Sequence, residues 1–173
     1  FRIEDVNKAA AFFDIRKLEH INATHLRALS AEEFTDRVTP WVGEAAPWPA
    51  ENFDSDRFAT MSGLVQEKLR TFGDVCSFVD FLFLDDPVDD EESWEKTMVE
   101  APSAVAVLDA TAVAFADCPW EAEVLKEAVA AAGAAVDLKL GKAQAPVRVG
   151  VTGRTVGPPL FETMAECMER QEV

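Results

Sequence analysis

The chain has 173 residues, of which 49% are hydrophobic and 28% are charged, and its formal net charge is −16. This composition is typical of a folded globular protein, and without an apolar run of about 18 residues it predicts no membrane-spanning helix. The acidity argues against a nucleic-acid partner, because phosphate contact needs lysine and arginine.

Cys76, Cys118 and Cys167 are too widely spaced for a disulfide framework or a Cys-x-x-Cys metal site. The chain begins at Phe1 rather than at methionine, so we expect a fragment of a larger protein.

Apolar residues recur at helical spacing along most of the chain, which predicts an all-α fold. Ser30 and Glu33 have the spacing of a capping box, which predicts a helix that ends near Pro40, since proline disrupts a helix interior. The next helix is expected over 55–72, with Gly73 ending it in the left-handed conformation. Its apolar stripe consists of Phe58, Met61, Val65, Leu69 and Phe72.

An acidic stretch divides the chain near its middle. Between 85 and 100, a single lysine stands among Asp85, Asp86, Asp89, Asp90, Glu91, Glu92, Glu95 and Glu100. A charge run of this kind is typical of a solvated face or a linker. We therefore expect a boundary there between two helical subdomains, with further helices after Pro102 and Pro119 and a helix end at Gly133.

Residues 146–161 read Pro-Val-Arg-Val-Gly-Val-Thr-Gly-Arg-Thr-Val-Gly-Pro-Pro-Leu-Phe and hold three glycines, three prolines and two arginines. Glycine allows backbone angles and close approaches that a side chain blocks, and a proline pair suits the start of a helix. The segment predicts a shaped loop ahead of a helix, with 147–151 as a short helix or an extended piece. Between 138 and 154 the charged side chains are all basic: Lys139, Lys142, Arg148 and Arg154.

Familiar enzyme motifs are missing from the sequence. The glycines at 150, 153 and 157 are not followed by the Gly-Lys-[Ser/Thr] of a phosphate-binding loop. Neither a Gly-x-Ser-x-Gly nucleophile motif nor a His-Glu-x-x-His zinc motif occurs. The carboxylates lie in solvated runs rather than as a pair in an apolar pocket, which disfavours general acid–base catalysis.

Two segments of the chain resemble bacterial glutamyl-tRNA synthetases. Phe13-Asp14-Ile15-Arg16-Lys17-Leu18-Glu19-His20-Ile21-Asn22 is similar to the Phe-Asp-x-x-Lys-Leu-x-x-x-Asn segment that follows the catalytic domain of that family. Val147-Arg148-Val149-Gly150-Val151-Thr152-Gly153, followed by Gly157-Pro158-Pro159-Leu160-Phe161-Glu162, resembles a signature near the family's C-terminus. Both ATP-binding signatures of class I synthetases, the His-Ile-Gly-His and Lys-Met-Ser-Lys-Ser types, are absent.

The resemblance implies the C-terminal anticodon-binding region of such a synthetase. The expected architecture is an all-α helical cage of two subdomains, 30–90 and 91–173, preceded by the end of the stem-contacting region at 1–29. The expected partner is the anticodon loop of tRNA(Glu), bound by a cytoplasmic monomer that contacts neither DNA nor membrane. The isolated chain should have no ligase activity, because ATP and Mg²⁺ are expected in the catalytic domain of the parent and no cofactor is expected here.

The resemblance also implies which residues contact RNA. Arg148 matches a family arginine at the anticodon loop, and Gly157 begins the matching loop beside the bases. Either Arg70 or Thr71 occupies the place from which some members read the third anticodon base. The full expected set is Arg148, Gly157, Pro158, Leu160, Arg70, Thr71, Lys68, Lys142 and Arg154.

A second hypothesis is a divergent helical protein-interaction module that has lost RNA binding. The acidic surface and the Ala/Val-rich second half support it. If Arg70, Lys139, Lys142, Arg148 and Arg154 converge on one concave face, RNA binding is favoured. If these basic residues are scattered over the surface, the protein-interaction hypothesis is favoured.

Overall fold

A computed structural model describes residues 13–85 and 90–168. The regular structure within those ranges is helical throughout, which confirms the predicted all-α class. The α-helices are α1 (Ile15–Arg27), α2 (Ala31–Ala45), α3 (Ser55–Val65), α4 (Val75–Val79), α5 (Glu91–Trp94), α6 (Ala104–Asp117), α7 (Ala122–Ala134), α8 (Leu140–Thr152) and α9 (Leu160–Cys167). Single 3₁₀ turns cover Ala50–Asn52, Phe72–Asp74 and Asp80–Leu82, and a π-helical turn over Glu95–Val99 continues α5.

Helix α2 begins as predicted but does not end at Pro40. The hydroxyl of Ser30 accepts a hydrogen bond from the Glu33 amide at 3.2 Å, and the Glu33 carboxylate accepts one from the Ser30 amide. The helix then runs on through Pro40, which is exposed. The proline removes one helical hydrogen bond, but Val38 before it and Val42 after it are both buried. Burial of that apolar stripe outweighs the local cost.

Helix α3 is shorter than the predicted helix over 55–72, because it ends at Val65. The side-chain amide of Gln66 donates to the carbonyl of Leu26 in the last turn of α1 and to that of Leu29 just after the helix, which holds the chain in a turn there. Leu69 is nevertheless fully buried from this irregular segment. Apolar spacing therefore indicated the burial correctly and the backbone conformation incorrectly.

The predicted left-handed helix end at Gly73 is also wrong. The Thr71 amide donates to the Asp74 carboxylate at 2.8 Å, and this contact starts a 3₁₀ turn instead. Among the described residues, positive φ angles occur at Asp137 and Gly153.

The helices bury one continuous apolar core. Helices α6, α7 and α8 pack on one another, α2 packs on α3 and α4, and α9 packs on both α3 and α7. Helix α9 therefore joins the two halves of the chain. The largest fully buried side chains include Phe34, Phe58, Met61, Leu69, Leu125, Leu160 and Met164.

No single helix in the described ranges is long and apolar enough to cross a membrane. Helices α5 and α6, with the π-helical turn between them, reach that length and composition only as a pair bent by 89°.

Gly133 allows α7 and α8 to approach closely. A Cβ atom at this position would lie 2.5 Å from the Cβ of Ala143 and 3.2 Å from the Leu138 carbonyl oxygen. The helix continues one residue past Gly133, so this glycine serves the packing of two helices rather than a left-handed helix end.

We predict that Gly133→Ala lowers the free energy of unfolding by about 1–3 kcal/mol through overpacking. Helix propensity alone would give the opposite sign, since alanine is favoured over glycine by about 1 kcal/mol in a helix interior. Gly63→Ala in α3 is the matched control. Nothing lies within 4 Å of an added Cβ there, so that variant should gain about 0.5–1 kcal/mol. Urea denaturation measures both, and a Gly133→Ala protein as stable as the original would contradict the close packing.

Candidate nucleic-acid interface

The segment predicted to contact RNA spans the end of α8, the loop that follows it and the start of α9. Residues 147–151 are helical, because α8 runs through Pro146 to Thr152. Gly153 ends the helix with φ of 71°, in the left-handed region that glycine adopts without strain, and its amide donates to the Val149 carbonyl at 2.9 Å. Residues 153–159 form the α8–α9 loop.

Arg154 fixes this loop to the first half of the chain. Its two terminal nitrogens donate to the two carboxylate oxygens of Asp80 at 3.0 and 2.9 Å, and one of them also donates to the Ser77 carbonyl. The two charged side chains are only 22% and 11% exposed. Hydrogen bonding to Asp80 raises the pKa of Arg154 above its ordinary value. The donors of Arg154, one of the expected RNA contacts, are therefore engaged inside the protein.

The start of α5 holds the loop from its other side. The Asp90 amide donates to the Gly153 carbonyl at 2.8 Å, and the Thr155 amide donates to the Ser93 hydroxyl at 3.1 Å. Asp90 also caps α5, accepting a hydrogen bond from the Ser93 amide at 2.8 Å. Hydrogen bonds from Ser93 lower the pKa of the Asp90 carboxyl. The loop conformation is thus set by contacts from two distant parts of the chain.

The roles of Asp80 and Ser93 were not predicted from the sequence. Asp80 carries the only usable signal, since it is an acidic residue within the apolar stretch 75–84. Aspartate is almost never buried unless it is paired. That position therefore indicates a buried partner without identifying it.

Arg148 is the second arginine of this site, and the Glu162 carboxylate on α9 acts on its charge without a direct ion pair. It lies half-buried on α8, and one of its terminal nitrogens donates to the Pro158 carbonyl at 2.6 Å. Within the described ranges it forms no ion pair with a carboxylate. Burial lowers the pKa of Arg148, yet arginine remains charged at neutral pH. A guanidinium carries five N–H donors, and one of those of Arg148 has a hydrogen-bond partner among the described residues.

The other predicted members of the loop differ in exposure. Gly157 is half-buried, and a Cβ there would lie 3.6 Å from a terminal nitrogen of Arg148. Pro158 is buried, and Leu160 is only 2% exposed. Leu160 therefore supports the start of α9 from the core and does not present the open apolar surface expected for a base. Val156, which the sequence did not single out, is 72% exposed.

Lys68, Arg70 and Thr71 lie in the turn after α3, beside α1. This turn and one side of α1 form an open groove of about 900 Å³, named here the α1 groove. Its basic side chains are Arg16, His20, Arg27, Lys68 and Arg70. Among them, Arg70 pairs with Glu19 at 3.1 Å, and its side chain is 70% exposed.

Lys142 lies apart from both places. It is exposed in the first turn of α8, beside a pocket of about 350 Å³ that Lys96 also lines. Lys142 and Arg148 are six residues apart on α8, so they project about 120° apart around the helix axis. The basic side chains of Arg70, Lys142 and Arg148 therefore do not share one groove, and this scatter by itself favours the protein-interaction hypothesis.

We predict that Arg154→Ala lowers the free energy of unfolding by about 2–3 kcal/mol, because it leaves the largely buried Asp80 carboxylate without its cationic partner. Arg70→Ala should cost less than about 1 kcal/mol, because the Arg70–Glu19 pair is exposed. Thermal and chemical denaturation of the two variants compare a buried pair with an exposed one in the same chain. Equal losses of stability would contradict the structural role of Arg154.

Comparisons with known proteins agree with this architecture. A family model described as an anticodon binding domain matches residues 33–172. The glutamate–tRNA ligases of Thermobifida fusca and Streptomyces griseus are 51% and 48% identical to this chain and cover 100% and 95% of it. The chain spans only 36% and 32% of those two proteins.

A solved structure shares the fold. The glutamate tRNA ligase of Elizabethkingia meningosepticum matches 99% of this chain and 33% of its own length, with a TM-score of 0.69 at 23% identity. The family match, over most of an all-helical chain, shows that this chain belongs to the anticodon binding domain family.

Proposed function

We propose that this chain is the C-terminal, anticodon-binding region of a glutamyl-tRNA synthetase and that it binds the anticodon loop of tRNA(Glu). The family match and the two ligases at 51% and 48% identity support this proposal. The remaining two thirds of such an enzyme would attach glutamate to the tRNA with ATP and Mg²⁺. This chain has neither ATP-binding signature, so no aminoacylation step is assigned to its residues.

The guanidinium of Arg148 carries the proposal within the structure. On a chain of net charge −16, this half-buried arginine has no carboxylate in direct contact among the described residues, and Glu162 acts on it only through space, which suits an external anion or base. Unpaired RNA bases are recognised by hydrogen bonds to their edges and by contact with their faces. The fork of arginine can bind a base edge or a phosphate with two parallel hydrogen bonds.

The neighbouring loop supplies the other elements of such a site. Gly157 lies next to the Arg148 fork, since a Cβ atom there would stand 3.6 Å from one of its terminal nitrogens. Val156 is exposed and offers an apolar surface for a base face, which buried Leu160 does not. Arg148 is thus assigned to hydrogen bonding and Val156 to apolar contact.

The third anticodon base is assigned to Arg70 rather than Thr71. The guanidinium of Arg70 is exposed, and its one contact with a carboxylate in the described part of the chain is a surface pair with Glu19. Such a pair is weak in water, so a base edge can replace the carboxylate. The proposed domain organisation is the end of a stem-contacting region at 1–29, followed by two anticodon-recognition subdomains at 30–90 and 91–173. The whole enzyme is proposed to be cytoplasmic and monomeric.

We predict that Arg148→Ala weakens binding of a glutamate anticodon stem-loop by about 1–3 kcal/mol. Arg148→Lys should recover only part of the loss, because an ammonium group cannot reproduce the fork. Lys142→Gln is the comparison variant, since an exposed phosphate contact should weaken all stem-loops alike. Fluorescence titration against glutamate and unrelated anticodons measures the difference.

Two results would contradict this assignment. One is equal affinity of the unmodified chain for both anticodons, which would favour the protein-interaction module. The other is an Arg148→Ala protein that binds the glutamate stem-loop as tightly as the original.

We also predict that the isolated chain does not activate glutamate. ATP–pyrophosphate exchange should stay at background, because both ATP-binding signatures are absent from the sequence. Exchange above background in a preparation free of host synthetase, and at a rate proportional to the chain concentration, would show this expectation to be wrong.

A further inference from the structure

We infer that the pocket between the starts of α6 and α8 binds a phosphate group attached to an organic body. This pocket, named here the α6–α8 pocket, has a volume of about 350 Å³. Its walls come from the π-helical turn over Glu95–Val99, the start of α6 and the segment 138–146. Pockets that hold small organic ligands have volumes of about 300–1,000 Å³. Binding there does not depend on RNA contact at Arg148, so the two assignments can fail separately.

A buried hydroxyl without a partner faces this pocket. Thr97 lies in the π-helical turn, lines the pocket and is only 6% exposed. Its hydroxyl forms no hydrogen bond within the described ranges, yet it is not one of the fully enclosed unpartnered hydroxyls, which belong to Thr111 and Thr163. The Thr97 hydroxyl therefore reaches the surface of the pocket. Buried polar groups are normally hydrogen-bonded, so this one is suited to a polar ligand.

Two helices begin at the pocket with free backbone donors. Neither α6 nor α8 has a side-chain cap at its N-terminus. The amides of Val105 and Ala106 in α6 have no acceptor in the described part of the chain, and the same holds for Leu140 and Gly141 in α8. Free amides and the helix dipole together favour an anion at a helix start, and phosphate is the common example.

The charged side chains that line the pocket are both basic. Lys142 is exposed and forms no ion pair among the described residues. Lys96 pairs with Glu92 at 2.5 Å, and this hydrogen bond raises the pKa of Lys96, which keeps it positive. Lys96 also lines a second pocket together with Glu92 and Glu100. These carboxylates offset part of its attraction for an anion, so we expect a millimolar affinity for phosphate alone.

The remaining walls favour an organic phosphate over the inorganic ion. They are apolar and consist of Ala101, Pro102, Ala104, Leu138, Ala145 and Pro146. A hydrated inorganic ion gains nothing from such walls, whereas an apolar body buried against them contributes about 25 cal/mol per Å². A few polar donors among apolar walls are typical of a small-ligand site.

The test compares inorganic phosphate with phenyl phosphate. Each is titrated at constant ionic strength into the nitrogen-15-labelled chain, and the backbone amides are followed by NMR. We expect saturable shifts of the Val105 and Gly141 amides, with phenyl phosphate bound about tenfold more tightly than phosphate. Absence of saturable shifts at these amides, or equal affinities for the two probes, would overturn the inference.

The Thr97 hydroxyl provides the sharpest variant. Thr97→Val keeps the shape of the side chain, so it should weaken phenyl phosphate binding about tenfold through the lost hydrogen bond to a charged group. The melting temperature without ligand should not fall, because the hydroxyl has no partner to lose. Thr111→Val is the matched control, since it removes an unpartnered buried hydroxyl that does not line the pocket. Unchanged binding in Thr97→Val, or an equal loss in Thr111→Val, would contradict the site.

The charge of Lys142 is tested in the same way. Lys142→Gln should weaken phenyl phosphate binding about fivefold, which corresponds to one charge pair near the protein surface. Arg37→Gln is the control for loss of charge, because Arg37 is exposed on α2 and does not line the pocket. Equal effects of the two variants would show general charge attraction rather than a site.

The glutamate anticodon stem-loop separates two sources of the phosphate, since Lys142 is also one of the expected RNA contacts. If phenyl phosphate binds equally well to a chain saturated with the stem-loop, the pocket serves a free molecule. If the stem-loop displaces phenyl phosphate, the group that the pocket accepts is a phosphate of the RNA backbone. A stem-loop that does not bind at all would end the proposed function and leave the phosphate titrations valid.

Discussion

The ion pair between Arg154 and Asp80 is the contact on which the candidate site depends. It joins the α8–α9 loop to the 3₁₀ turn after α4 through two parallel hydrogen bonds in a largely buried position. With the loop fixed on that side and held by Ser93 on the other, the Pro158 carbonyl is placed to accept from Arg148. Two arginines that look equivalent in the sequence thus have different tasks. Arg154 organises the loop, and Arg148 is the residue proposed to bind RNA.

The distribution of charge is uneven, which bears on the RNA binding proposed for this acidic chain. A net charge of −16 disfavours general attraction to nucleic acid. Basic groups are concentrated at the α1 groove and at Arg148, so the proposed RNA contact would be favourable at these places. Repulsion elsewhere would disfavour misplaced binding, which gives specificity more than affinity.

Local sequence signals predicted those features that depend on local interactions. The all-α class and the Ser30–Glu33 capping box both follow from spacing along the chain. The failures arose where tertiary contacts prevail. Helix α2 passes Pro40 because its flanking valines are buried, and α3 stops early because Gln66 bonds to α1. The partner of Arg154 is 74 residues away in the chain, and no local pattern identifies it.

The most direct test of this account observes the arginine side chains themselves. Nitrogen-15 NMR of the guanidinium groups, recorded while the glutamate anticodon stem-loop is added, separates Arg148 from Arg154 once each is assigned by substitution with lysine. The account predicts that the Arg148 resonance shifts in proportion to bound RNA, while the Arg154 resonance stays in place because its donors remain bonded to Asp80 and Ser77. A shift at Arg154 with none at Arg148 would contradict the account.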